Sequence, residues 1–379
     1  MNGGGLILDV KGLSVSFRTD RGTVRAVRNL DLELRRGETL AVVGESGSGK
    51  SVTVKALIGI LSKNGTVDSG AAVFRCVERG VERELDLLAL NKKEMRRNIN
   101  GKRISMIFQD PMTSLNPTMP VGAQIAEGIG LHNLDPVMTV GDQIAEHIRI
   151  HETVSRKAAM GRALELLKMV SIDDPERRLR SYPHQLSGGM RQRVVIAVAL
   201  ACGPDILICD EPTTALDVTI QEKILRLIKD IQNRTGISVI YITHDMGVVA
   251  KVADYVTVMY AGRIVERGTA EEIFYDPRHP YTWGLLLAMP DLYTGDDILY
   301  TIPGNPPDLI QDIKGDVFAS RNPRPLYIDT QREPPLFPIS PSHSAASWLL
   351  HPEAPGLGMP PELRRRIDRM LKEAADAGF

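Results

Sequence analysis

The eight residues "GESGSGKS" (44–51) stand between the apolar run "TLAVV" (39–43) and a segment with helix-like spacing. No other stretch restricts the fold as tightly. Glycines in the loop let backbone N–H groups turn inward and approach an anion without Cβ clashes. A helix beginning at Lys50 adds the partial positive charge of its N-terminus. The segment therefore predicts a strand–loop–helix unit inside an α/β core, with a phosphate held at the loop.

The pattern G-x-x-x-x-G-K-[ST] is matched in full, which marks a nucleotide-phosphate loop. Lys50 would reach the β- and γ-phosphates of ATP, and the Ser51 hydroxyl would hold Mg2+. Gly44, Glu45, Ser46, Gly47, Ser48, Gly49 and Val52 complete the loop's candidate contacts. A second segment, "ILICDEP" (206–212), supplies what a binding loop lacks. Its apolar residues bury a strand and bring Asp210 and Glu211 out at the carboxyl end, the edge where open α/β sheets bind ligands. Asp210 would support Mg2+, and Glu211 would accept a proton from an attacking water.

The rest of the chain fills in this frame. Residues 6–43 alternate and carry turn signals, which predicts strands of an antiparallel sheet leading into the buried strand Thr39–Val43. "DILICDE" (205–211) and "SVIYITHD" (238–245) are further buried strands, each after a helix-like segment, so the core sheet is expected to be parallel. Residues 110–185 carry helical spacing, with Ala163, Leu166, Leu167 and Val170 on one face. "NPTMPVGAQIAEGI" (116–129) nearly repeats as "DPVMTVGDQIAEHI" (135–148), and both copies place Val and two Ile four apart (Val121, Ile125, Ile129; Val140, Ile144, Ile148). After about residue 275 prolines crowd the chain and periodicity fades. That predicts an irregular appendage ending in an amphipathic helix with Leu363, Ile367, Met370 and Leu371 on one side.

Charge and cysteine content exclude several classes. Forty-six basic residues face forty-seven acidic ones, a formal charge of −1 that gives no support to a generally basic nucleic-acid binder and leaves room only for a local patch. Cys76, Cys202 and Cys209 are scattered, which points to a reducing compartment without a disulfide framework. The start lacks a signal-peptide pattern, and the longest apolar run, "VVIAVALAC" (194–202), is half of what a bilayer requires, so any membrane link is expected through a partner.

Between the two acidic and glycine motifs lies "YPHQLSGGMRQRVVIAVAL" (182–200). Here the sequence resembles the ATP-binding-cassette (ABC) family, whose signature LSGGQ reads Leu186-Ser187-Gly188-Gly189-Met190. The resemblance implies a P-loop ABC nucleotide-binding domain: a RecA-like α/β core, an antiparallel β subdomain and a helical subdomain at about 110–190, all within 1–275. Residues 276–379 would form the Pro-rich extension. It also implies that Ser187, Gly188 and Gly189 bind the γ-phosphate of ATP held by another subunit's loop. Gln109 in "IFQDPMTSLNP" would be the Q-loop residue, touching nucleotide and Mg2+ and relaying their state to the membrane partner. Asp217 in "TALD" would lie near the dimer seam, and His244 in "YITHD" would contact the γ-phosphate and position Glu211 and the water. Phe17 is the candidate for stacking on adenine, with a plain core role as its rival.

"HPYTWGLL" (279–286) and the tail extend the resemblance to the ATP-binding subunits of oligopeptide, dipeptide and nickel importers. That branch implies a second, related cassette subunit, two membrane-spanning permeases and, indirectly, an external substrate-binding protein. The chain would then sit on the cytoplasmic face of the cell membrane, without nucleic acid. The resemblance favours peptides as cargo, with nickel and other small solutes left open as the alternative. The rival from another class is a soluble cassette ATPase acting on ribosomes or DNA, a group that carries paired cassettes, coiled coils or zinc motifs. One departure stands out. Members with an iron–sulfur centre begin their tail cluster G-C-x-F-x-x-R-C, whereas this chain reads "GDVFASRN" (315–322), with Asp316 and Asn322 in place of thiols and Thr330 and Ser347 at the later positions. No iron–sulfur cluster is expected.

The near-repeat follows the Q-loop, where the family meets its permeases. Either it is a tolerated local duplication, or the extra copy reshapes that docking surface. On the second reading, deleting residues 117–135 reduces transport in a reconstituted assay while ATP binding is spared; unchanged transport assigns the repeat to the first.

Overall fold

The computed structural model describes residues 5–78, 80–108, 135, 137–213, 217–289, 300–356 and 358–376. Two alternating strands, β1 (Leu6–Thr19) and β2 (Gly22–Arg35), lead into the short β3 (Thr39–Val43). With β4 (Gly65–Glu78) and β5 (Val81–Asp86) they form an antiparallel sheet of order β2-β1-β4-β5. On β1 the inward set is Leu8, Val10, Leu13 and Val15. The step of three between Val10 and Leu13 marks a register shift at Gly12, whose φ of 62° suits a bulge.

The second sheet has eight strands. β6 (Ile104–Ile107), β7 (Ile206–Asp210), β8 (Ser238–Thr243) and β9 (Tyr255–Tyr260) join β3 in a parallel set; β10 (Arg263–Thr269), β11 (Phe337–Pro338) and β12 (Ser344–Ala345) extend it antiparallel. The order is β11-β12-β10-β9-β3-β8-β7-β6. Every residue of β3, β6, β7 and β8 is buried, which is why these strands are continuous apolar runs rather than alternating ones. Val43 pairs with Thr243 and Asp210 with Ile242, so the carboxyl ends of β3, β8 and β7 lie side by side.

Helices Val140–His151 and Arg156–Met169 begin at Thr139 and Ser155, whose hydroxyls accept N–H bonds from Asp142 and Ala158. Val140, Ile144 and Ile148 are fully buried, so the second copy of the near-repeat has the apolar face expected of it. They pack with Ala163, Leu166, Leu167 and Val170 and with the helix Gly188–Ala199 in one core cluster. The first copy lies outside the described residues.

The extension is bonded into the core sheet through β12 on β10. Glu266, fully buried on β10, accepts the backbone N–H groups of Arg278 (2.6 Å) and His279 (3.0 Å), and its Oε1 lies 2.8 Å from His343 Nε2. One carboxyl group thereby fastens the His279-Pro280-Tyr281 turn and the segment before β12; losing a partner in such a buried network costs about 1–3 kcal/mol. Tyr281, Trp283, Val317, Phe318, Leu363 and Ile367 then share a core cluster with Val256, Val258 and Tyr260 of β9. The last helix, Pro361–Asp376, buries Leu363 and Ile367, but Leu371 is 46% exposed. Its apolar stripe is thus narrower than its periodicity predicts, because the cluster it covers receives only the first two turns.

All three cysteines are free. The positions where relatives would carry cluster thiols are engaged in local bonds. Asp316 Oδ1 accepts Phe318 N–H (3.0 Å), Asn322 Oδ1 accepts Arg324 N–H (3.0 Å), and Ser347 Oγ accepts Leu349 N–H (3.3 Å). Thr330 Oγ1 donates to Tyr327 O (2.8 Å). An oxygen and amide set already closing its own turns does not fit an iron–sulfur centre.

Asp316 also generates a pH prediction. Burial pushes its carboxyl up from 3.8 to about 7, with Asp329 and Glu333 adding to the rise. Between those values the folded chain keeps a proton that the unfolded chain releases, so stability falls as pH rises through that window. Asp316→Asn preserves the bond to Phe318 and removes the titration. Urea unfolding should show the variant gaining on the parent by on the order of 2 kcal/mol between pH 5 and pH 8; an equal gap at both pH values would contradict this.

Candidate nucleotide site

The phosphate loop leaves β3 at Val43 and enters the helix Lys50–Leu57. Its glycines are dictated by close approach. A Cβ on Gly44 would lie 2.1 Å from Met259 O, and one on Gly49 2.5 Å from Ala26 O, so any side chain there would break the seat of the loop. Gly49 stands at the N-cap with φ 101° and contributes no capping side chain, leaving the first-turn N–H groups to whatever sits in the loop. Ser46 and Gly47 are exposed at the crest, Ser48 is buried, and Val52 packs on the core behind.

Lys50 is buried to 4% exposure and donates to Gly44 O (2.7 Å) and Glu45 O (2.8 Å), with Ser48 Oγ at 3.4 Å. Burial lowers its pKa, while Glu211, Asp210 and Glu45 oppose that fall. Ser51 Oγ donates to Asp210 Oδ1 at 2.7 Å. Burial raises the Asp210 pKa against that bond. Two hard oxygen donors converge here, one from the loop helix and one from β7, which is the donor chemistry Mg2+ requires. Gln109, the third predicted ligand, lies outside the described residues.

Glu211 follows β7 with φ 48°, a left-handed conformation that non-glycine residues seldom adopt. Its N–H donates to Ile242 O (3.0 Å), which fixes the turn, and its Oε1 lies 3.1 Å from His244 Nδ1. The acid and the histidine predicted to act together are therefore paired, one past β7 and one past β8.

The signature segment forms a second group. Ser187 and Gly188 are exposed at the start of the helix Gly188–Ala199, where Ser187 Oγ accepts Met190 N–H (3.4 Å). A Cβ on Gly189 would meet Ile220 Cγ2 at 2.9 Å, so the glycine lets this helix rest on the helix Val218–Thr235. Asp217 caps that second helix, accepting Ile220 N–H at 2.9 Å. Beside it Val218 is 80% exposed. Phe17 is half-buried against the core, its ring lying over Gly65 of β4, where a Cβ would come within 2.7 Å of Phe17 Cε1.

Two residues inside stretches quoted above received no role at this site from the sequence. Arg321, from the extension, bonds the Glu45 carboxylate in a fork of 2.6 and 3.0 Å, and Tyr281 OH accepts the Glu45 N–H at 2.7 Å. Tyr281 stands in the quoted "HPYTWGLL" and Arg321 in "GDVFASRN", yet nothing in either stretch pairs them with a residue some 240–280 positions earlier.

Residues 27–214 match the family described as "ABC transporter", and residues 265–325 match "Oligopeptide/dipeptide transporter, C-terminal region". The chain is 51% identical over 366 residues to the oligopeptide transport ATP-binding protein OppD of Bacillus subtilis, covering 96% of this chain and 94% of that one. It is 52% identical over 349 residues to the dipeptide transport ATP-binding protein DppD of Lactococcus lactis, covering 92% of each. Among solved structures, the ATP-binding cassette MJ0796, a dimer in a post-hydrolysis state bound to ADP and Pi, superposes with a TM-score of 0.55 at 25% identity. That match covers 69% of this chain and 98% of that one. With the loop, both acids, the histidine and the signature helix placed as they are, the chain belongs to the ABC transporter family, as one of its ATP-hydrolysing cassettes carrying the oligopeptide/dipeptide type of C-terminal region.

Proposed function

We propose that this cassette binds ATP and Mg2+ at residues 44–52 and uses its hydrolysis to drive import of peptides through membrane permeases. The carrying observation is the convergence at the carboxyl edge of β3, β7 and β8: Lys50 inside the loop, the Ser51–Asp210 pair, and the Glu211–His244 pair. Such catalysis is mostly positioning and charge stabilisation around a phosphoryl group. Ser51, Asp210 and Gln109 would hold the metal, which supplies charge neutralisation when bound. Glu211 orients and deprotonates the water, and His244 holds the Glu211 carboxylate. Phe17 is offered for the adenine.

The signature group serves a second cassette. Exposed Ser187 and Gly188, the helix-capping Asp217 and bare Val218 form a surface offered to a facing cassette's loop, so two sites complete each other head to tail. The second cassette is proposed to be a related, different chain, and the pair to lie on the cytoplasmic face of the membrane. Peptide cargo is supported by the OppD and DppD likeness and by the matching C-terminal region.

Affinity purification from detergent-solubilised membranes, read by mass spectrometry, is expected to recover permeases and a second cassette. Recovery of ribosomal proteins instead would overturn the transport reading. Within the site, Glu211→Gln should retain MgATP binding and lower phosphate release at least about a hundredfold. Full hydrolysis in that variant would remove Glu211 from the mechanism.

A further inference from the structure

Glu45 is the sole acid in the loop 44–51, and the extension grips it twice. Tyr281, fully buried, takes its N–H, and Arg321 takes both carboxylate oxygens. Arg321 is itself anchored by the extension and by β9. Its Nε donates to Pro303 O (2.8 Å), Nη2 to Ile302 O (3.2 Å) and Nη1 to Tyr260 OH (3.2 Å), and its side chain is 4% exposed. Its guanidinium also lies 5.6 Å over the Tyr260 ring, which packs against Tyr281 and Phe318. The fork is therefore aimed before it meets Glu45.

What this aim protects is Lys50. Its ammonium bonds the carbonyl of Glu45 itself, at 2.8 Å. A carboxylate on the same residue, once released, has a buried cation within a side chain's reach, in a site where charges are weakly screened. Bound there, it would occupy the group that the phosphate needs.

We infer that Arg321 is a positioning residue of the nucleotide site: it holds the Glu45 carboxylate away from Lys50 and so keeps the lysine available to phosphate. The C-terminal extension is on this reading a part of the ATP site rather than an appendage. The inference rests on the proposal that the loop binds MgATP, and it acts before any chemistry, on binding.

The test uses the full chain and titrates MgATP by calorimetry. Arg321→Met removes the fork and keeps an apolar body of similar length. Its MgATP affinity is expected to fall about tenfold, the scale of one charge-assisted contact. Adding Glu45→Gln removes the competing carboxylate, so the double variant should bind MgATP several-fold more tightly than Arg321→Met and to within about threefold of Glu45→Gln alone; a purely structural ion pair, lost equally in Arg321→Met and in the double variant, would give no such recovery. Arg321→Lys keeps the charge without the fork; it should show the same rescue at smaller amplitude and carries the test if Arg321→Met does not fold. Unchanged affinity in Arg321→Met, or a double variant as weak as its Arg321 parent with native circular dichroism, overturns the inference and leaves the hydrolysis reading standing. A native chain that binds no MgATP sinks both.

Discussion

Gly44 and Gly49 allow the phosphate loop to lie directly on the backbone of β9 and β2, with no side chain between. That contact is the seat on which the site is assembled. It clamps the loop between the antiparallel sheet and the parallel one, so the helix that begins at Lys50 presents its first turn to the loop. A loop standing free of its neighbours would spend that electrostatic advantage on conformational entropy, roughly 1–2 kcal/mol for each residue that had to be ordered on binding. The fully buried strands β3, β7 and β8 complete the frame, since their side-by-side ends bring Gly44, Glu211 and His244 to one edge although 200 residues separate the first from the last.

Much of this could be read from residue order because the deciding information is contiguous. The glycine loop, the strand with Asp210 and Glu211, and the capped signature helix each carry their chemistry within eight or nine positions. Buried parallel strands announce themselves as unbroken apolar runs, and the period of the helical layer placed Ala163, Leu166 and Leu167 correctly on its inner face. Periodicity was less informative in the last helix, where Leu371 has the right phase for burial yet is 46% exposed among the described residues.

What could not be read is pairing across long stretches of chain. Arg321 and Glu45 are ordinary charged residues in their local settings, and only folding makes them a fork. The same holds for Glu266 with His343, and for Phe17, whose place over Gly65 depends on a strand register that no short motif records. The tail, read as irregular and proline-rich, is irregular in secondary structure but not in its bonding. Asp316, Asn322 and Ser347 close turns, β12 lengthens the core sheet, and Tyr281 with Arg321 reaches the loop.

The left-handed backbone at Glu211 has a consequence for anyone who wishes to make this protein hardier. A glycine or asparagine would sit at φ 48° with less strain, so screens for heat tolerance will be drawn to that position. Each such gain would delete the carboxylate that faces His244. Robustness and turnover pull in opposite directions at this one residue, and a thermostable isolate deserves sequencing at codon 211 before its activity is interpreted.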